Sequence, residues 1–290
     1  MILDVHTHIF PPDIIAGREL FFQDEPEFQL LYGPAASKMA TAEVLVQAMD
    51  ENGIDLSVVF GFPWRNGQTL ARHNDYVLEA ATRFPGRLIP MACLDLLSDS
   101  CGAQAEKMIA AGARGLGELA VYSAGGNMDR VIDNFKQIAA LCRQKEIALL
   151  LHANEPVGHQ YPGKAPYGLD FYYAMAKAAA GATLIFAHWG GGLIFYELLK
   201  KQAPAEFANI FYDTAASPYV YRADIYRAAV QAVGASRILL GSDYPLLSPR
   251  RYFAEMNQAG LGQTEMEAIC GANAAGIFHI RYGGGQSCLE

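Results

Sequence analysis

Met1-Ile2-Leu3-Asp4-Val5-His6-Thr7-His8 opens the chain. An apolar run ending in His-x-His reads as a β-strand, and because successive side chains of a strand alternate faces, His6 and His8 project to one side, close enough to grip a single ion. Alone the pair decides little. Three later runs end in the same way: Ile147-Ala148-Leu149-Leu150-Leu151 leads into His152, Ala182-Thr183-Leu184-Ile185-Phe186-Ala187 into His188, and Arg237-Ile238-Leu239-Leu240-Gly241-Ser242 into Asp243. One such histidine is ordinarily a core residue satisfied by a backbone hydrogen bond. Four histidines and a carboxylate, all at the carboxyl ends of candidate buried strands, point instead to a shared site.

Working outward, eight short apolar runs alternate with longer segments of helical period, the pattern of parallel strands buried on both faces. The runs are 1–5, 56–62, 87–94, 113–119, 148–152, 182–188, 210–213 and 237–242; the helical segments begin near Thr41, Gly67, Asp99, Asp129, Leu169, Gly191, Arg222 and Ser248. Eight strand–helix units in 290 residues predict an α/β protein, a closed (β/α)8 TIM barrel, in preference to an open doubly wound sheet. A barrel of this kind occupies about 250 residues, so one domain over residues 1–282 is expected, with residues 283–290 as a flexible, glycine-rich tail.

Composition narrows the function. With 52% hydrophobic and 18% charged residues the chain can bury a large core, and its net charge of −8 offers no basic face for nucleic acid or an anionic membrane. No apolar stretch reaches the roughly 18 residues of a membrane span, and Asp4 interrupts the start before a cleavable signal could form. Cys93, Cys101, Cys142, Cys270 and Cys288 are odd in number and scattered, which fits free thiols in a reducing cytoplasm. A small-molecule substrate is the partner left.

Two connections exceed simple turns, and in a barrel the loops after the strands surround the active site. Residues 9–40 place Phe10, Phe21, Phe22, Phe28 and Tyr32 among Glu19, Asp24, Glu25 and Glu27, the make-up of an ordered, lid-like insertion after the first strand at about residues 10–40; exposed aromatics there would also suit a homodimer contact. Residues 154–168 carry Pro156, Pro162 and Pro166, a stiffened loop beside His152. His73, following Arg72 in a helical stretch, reads as a surface residue, and His279 as a structural one.

Neutral imidazole with carboxylate binds divalent zinc, manganese, iron or cobalt, and an open coordination position then holds a water whose pKa falls toward roughly 7, a ready nucleophile. Zinc is the first expectation, as one ion or two.

The same residues carry a family resemblance. His-x-His after strand one, histidines after strands five and six and an aspartate after strand eight look like the amidohydrolase superfamily. Ile2 to His8, Ala187-His188-Trp189-Gly190-Gly191 and Gly241-Ser242-Asp243-Tyr244-Pro245 resemble more closely the amidohydrolase-2 group of hydrolases, lactonases and aminocarboxymuconate-semialdehyde-type decarboxylases. Residues 269–278 are similar to that group's closing helix. The resemblance implies that His6, His8, His152 and Asp243 hold a catalytic metal, that His188 ligates it or polarises the substrate, and that Asp243 doubles as general base. It departs at Glu118, in Gly115-Leu116-Gly117-Glu118-Leu119, where many binuclear relatives have a carboxylated lysine. A glutamate there resembles the TatD-like deoxyribonuclease branch, in which a carboxylate can bridge two metals; a bond to a neighbouring loop or a substrate group is the alternative. Asp4 shares the face of His6 and His8 and is expected to orient a ligand.

Candidate substrate contacts at the mouth are Trp64 and Arg65 after strand two, Tyr122 after strand four, Asn154 after strand five, Trp189 after strand six and Tyr244 after strand eight. Arg65 could hold a substrate carboxylate in a bidentate grip. Three functions follow. The leading expectation is a metal-dependent hydrolase cleaving an amide, ester or lactone of a small organic acid, favoured by a bridging Glu118; the second is a non-oxidative decarboxylase on nearly the same ligands; the third is a metal-binding barrel without catalysis.

Overall fold

The structure, a computed structural model, describes residues 1–122, 127–281 and 288–289. Eight parallel strands carry it: β1 (Leu3–His8), β2 (Leu56–Phe60), β3 (Leu88–Pro90), β4 (Gly115–Leu119), β5 (Ala148–Leu151), β6 (Leu184–Phe186), β7 (Ile210–Asp213) and β8 (Ile238–Leu239). They form two ladders, β1-β2-β3 and β4-β5-β6-β7-β8. Backbone bonds join the ladders on both sides. Val5 N–H donates to the Leu240 carbonyl (2.8 Å) and Asp243 N–H to that of His6 (2.9 Å), while Ala92 N–H donates to Gly115 (3.1 Å) and Gly117 N–H back to Ala92 (2.9 Å). The α/β barrel expected from the eight-fold alternation is what the chain forms.

Period-two packing explains why each run is apolar throughout. Along β5, Leu149 and Leu151 pack with the surrounding helices, whereas Ala148 and Leu150 join the inner cluster with Val58, Ile89 and Ile185. In β4 that alternation breaks: Leu116 and Leu119, three apart, both pack outward, and the ladder to β5 shifts register between them. The break turns Glu118 toward the barrel mouth.

Helices follow the strands, near the starts read from sequence. Thr41 caps Ala42–Asn52, Asn66 caps Gly67–Arg83 through the backbone of Gln68 and Thr69, and Asn127 caps Met128–Lys145. Among the described residues no helix is long and apolar enough to cross a membrane. Cys93, Cys101, Cys142 and Cys270 are buried free thiols. Of the tail expected after residue 282, residues 288–289 pair antiparallel with 280–281, and the rest lies outside the described residues.

The segment after β1 is ordered, with helices at Pro12–Ala16 and Pro26–Tyr32 joined by a tight turn at Arg18–Phe21. Aromatic packing fixes it. Phe28, fully buried, stands with its ring centroid 4.2 Å from Trp64, 5.4 Å from Phe62 and 5.0 Å from Tyr32. The Glu25 carboxylate accepts backbone N–H bonds from Arg65 (3.1 Å) and Asn66 (2.7 Å), and Glu27 pairs with the Arg65 guanidinium. One expectation fails here: His73 is wholly buried, its Nδ1 accepting from Trp64 Nε1–H (2.9 Å) and its Nε2 donating to the Ile9 carbonyl (2.7 Å). Burial pushes its pKa down to about 4, so it serves as a neutral link between the insertion and the barrel.

Because Phe28 is the ring on which this cluster converges, Phe28→Ala should cost about 3 kcal/mol or more in urea unfolding, and a loss below about 1 kcal/mol would contradict this packing.

Candidate metal centre

Five strand ends deliver one cluster. β1 supplies His6 and His8, β4 Glu118, and the residues just beyond β5, β6 and β8 are His152, His188 and Asp243. Donor atoms of His6, His8 and Glu118 lie within 4.8 Å of one another, as do those of His6, His188 and Asp243, and those of Glu118, His152 and His188. The six residues read from sequence as metal-site candidates are thus brought together.

The outward nitrogens show what the inward ones can do. His6 Nδ1 lies 2.8 Å from Asp213 Oδ2, His8 Nδ1 3.1 Å from the Gly61 carbonyl, and His188 Nδ1 3.0 Å from the Ala215 carbonyl. Carboxylate and carbonyl oxygens accept, so each Nδ1 carries a proton and each Nε2 faces the centre, able to bind a cation once its own proton is gone. His6 Nε2 is buried and has no hydrogen-bond partner among the described residues. Asp243 Oδ1 stands 3.7 Å and Glu118 Oε1 3.8 Å from it; His8 Nε2 is 3.3 Å from Asp243 Oδ1. Buried imidazole nitrogens converging with carboxylates suit a divalent cation, which would displace their protons. His152 is turned the other way: Nε2 donates to the Gly163 carbonyl (2.9 Å) and Nδ1 meets Glu118 Oε1 at 3.0 Å.

Charges agree with this arrangement. Burial lowers the pKa of His6, but the carboxylates of Asp213, Glu118 and Asp243 outweigh it and raise it to about 10. Burial works against the ionised Asp243 and Glu118, yet His8 and His6 bring Asp243 to about 2, and His6 with His152 holds Glu118 well below the usual carboxylate range. Without a cation, the proton on His6 compensates the carboxylates.

Local backbone geometry places these groups at a cost. His188, Trp189 and Asp243 have left-handed φ of 54°, 59° and 57°, a conformation that costs an L-residue on the order of 1–2 kcal/mol. Gly191 continues the left-handed turn at φ 60°, and a Cβ there would come within 2.1 Å of the Asn154 carbonyl oxygen, so only glycine fits.

The expected substrate contacts divide. Tyr122 reaches the cluster, its ring 5.2 Å from His152. Trp64 is buried in the insertion's aromatic core, Trp189 is buried with Nε1–H on Ser217 Oγ (2.7 Å), and Arg65 is engaged by Glu27. Asn154 binds both the N–H (2.7 Å) and carbonyl (3.1 Å) of Ala165, and Tyr244 packs partly buried against the cluster of helix Ala42–Asn52. Trp64, Trp189 and Asn154 are thus buried, whereas Arg65 stays exposed. Asp4 does not reach an imidazole; its carboxylate accepts from the N–H (2.9 Å) and hydroxyl of Ser242, fixing the segment that carries Asp243. The carboxylate on His6 is Asp213, which the sequence reading passed over although it too stands at a strand end.

In chelator-treated protein, a histidine NMR titration should find His6 protonated well above its ordinary value of 6.5, and Asp213→Asn should lower that midpoint. A wild-type midpoint near 6.5 would contradict the charge balance described here.

Comparison with known proteins accords with this geometry. A 2,6-dihydroxybenzoate decarboxylase from Rhizobium superposes with TM-score 0.71 at 16% identity, covering 96% of this chain and 98% of that one. A 5-carboxyvanillate decarboxylase from Sphingomonas paucimobilis gives 0.71 at 15% identity over 97% and 99% of the two chains. A dihydroxybenzoic acid decarboxylase from a Polaromonas species, with bound manganese and the inhibitor 2-nitroresorcinol, gives 0.70 at 17% identity over 96% of each. No curated protein sequence matches the chain. The sequence profile described as Amidohydrolase matches residues 3–280, nearly the whole length, and the chain therefore belongs to the amidohydrolase family.

Proposed function

We propose that the protein is a metal-dependent, non-oxidative decarboxylase of a small aromatic carboxylic acid, with residues 10–40 acting as the lid of a single catalytic unit spanning residues 1–282. The observation that carries the reading is the bare, buried Nε2 of His6 facing Asp243 and Glu118. The choice of chemistry rests on the superposed structures, which are decarboxylases of ring carboxylic acids. They shift the weight from hydrolysis, which Glu118 favoured in the sequence, to its decarboxylase alternative.

In this proposal His6 Nε2, His8 Nε2, Glu118 and Asp243 hold the cation; imidazole with carboxylate suits manganese, present in one superposed structure, as well as zinc. Bound there, a divalent ion supplies Lewis acidity that withdraws electron density from an oxygen of the acid. The remaining work belongs to the chain. His188, pinned through Nδ1 to the Ala215 carbonyl and held protonated at Nε2 by Glu118 and Asp243, delivers that proton to the ring carbon that bears the carboxylate. The bond from that carbon to the carboxylate breaks, its electron pair stays on the ring to receive the proton, carbon dioxide leaves, and His188 is reprotonated from solvent. Asp213 holds His6 in register throughout.

A second reading has its own observation. Glu118, His152 and His188 form a further group of close donors, with Glu118 shared between it and the His6–His8 group. A second cation there would make Glu118 a bridge and suit hydrolysis of an ester, amide or lactone.

Manganese-loaded protein should release carbon dioxide from hydroxylated benzoic acids and stop when chelated; cleavage of esters or lactones with no carbon dioxide from any ring acid would favour the hydrolase instead. His188→Asn should lower kcat by about 10²–10⁴-fold with metal content retained, and an unchanged kcat would remove His188 from proton transfer.

A further inference from the structure

Two phenols lie between the insertion and the metal cluster, and among the described residues nothing uses their hydroxyls. Tyr32 ends the helix Pro26–Tyr32, and its ring lies edge-on to Phe62 at 6.0 Å. Phe62 in turn stacks on Tyr122 at 6.2 Å with the ring planes 6° apart, and Tyr122 meets His152 at 5.2 Å. A continuous aromatic wall therefore runs from the insertion to Glu118. Neither hydroxyl has a hydrogen-bond partner among the described residues, whereas Tyr172, Tyr212 and Tyr252 all have theirs satisfied. Both rings are only partly buried. A partly buried phenol set in an aromatic wall beside the metal cluster, with its polar end unpaired, is arranged for a ligand.

The chemistry of that ligand follows from the surroundings. Burial, with the charges of Asp243 and Glu118, keeps both phenols protonated, so each offers an O–H donor at neutral pH. Donors beside a carboxylate-rich cluster select an acceptor that is brought in by the ligand.

We propose that Tyr32 and Tyr122 together read an oxygen substituent on the substrate's ring, so that the acid is flat and carries a second ring oxygen besides its carboxylate. This inference rests on the decarboxylase reading and deepens it, making Tyr32 the residue through which the insertion sets specificity. A site built to bond an oxygen rejects analogues that lack it, because its own donors are then left unpaired.

Two coloured probes differing by one hydroxyl, 2-nitroresorcinol and 2-nitrophenol, test it by absorbance titration of manganese-loaded protein. Wild type should bind 2-nitroresorcinol at least about tenfold more tightly. In Tyr32→Phe and Tyr122→Phe that preference should shrink toward unity, with metal content and circular dichroism unchanged. Undiminished preference in both variants overturns this inference alone. Failure of the metal-loaded wild type to bind either probe or to decarboxylate any ring acid overturns it together with the proposed function.

Discussion

The contact between Asp213 and His6 Nδ1 is the interaction on which the site depends. It joins β7 to β1 across the barrel mouth, and the same carboxylate accepts the backbone N–H groups of His188 and Ala215. One buried aspartate therefore sets the orientation of one imidazole and the backbone position of another. Desolvating a carboxylate is costly, and Asp213 offsets that cost with three donors. Everything else at the centre is arranged around His6 Nε2, which this contact aims at Glu118 and Asp243.

The second constraint is aromatic. Phe28, Phe62, Trp64 and Tyr32 tie the insertion after β1 to the barrel, and Glu25 and Glu27 fasten it to the loop after β2. An insertion held in this way is packed onto the barrel beside the loop after β2. The left-handed residues His188 and Asp243 bring strain to the same place, and packing around the barrel ends sustains it.

Much of this was legible in the residues. Parallel strands buried on both faces leave unbroken apolar runs, so all eight strands and their order could be read, and the polar residues that end the runs marked the metal cluster. Strand lengths were less legible: the run 87–94 narrows to Leu88–Pro90, although Met91 and Ala92 still donate to Val59 and Gly115 beyond its end. His73 looked exposed beside Arg72, yet Leu70, His73, Asn74 and Val77 share one helical face that packs inward. Asp213 obeyed the strand-end rule and was missed because its run lacked the apolar length of its neighbours. The roles of Trp64, Trp189 and Asn154 depend on where neighbouring loops fold, and no local pattern encodes that. Sequence favoured hydrolysis on the strength of Glu118 alone; the superposed decarboxylases turn the reading toward their chemistry.

The central claim is that His6, His8, Glu118 and Asp243 enclose a divalent cation. Crystals grown with manganese, measured at a wavelength where it scatters anomalously, test this most directly. The account predicts an anomalous peak bonded to His6 Nε2, His8 Nε2, Glu118 and Asp243. No peak at that position, or a cation whose ligands leave His6 Nε2 bare, would contradict it.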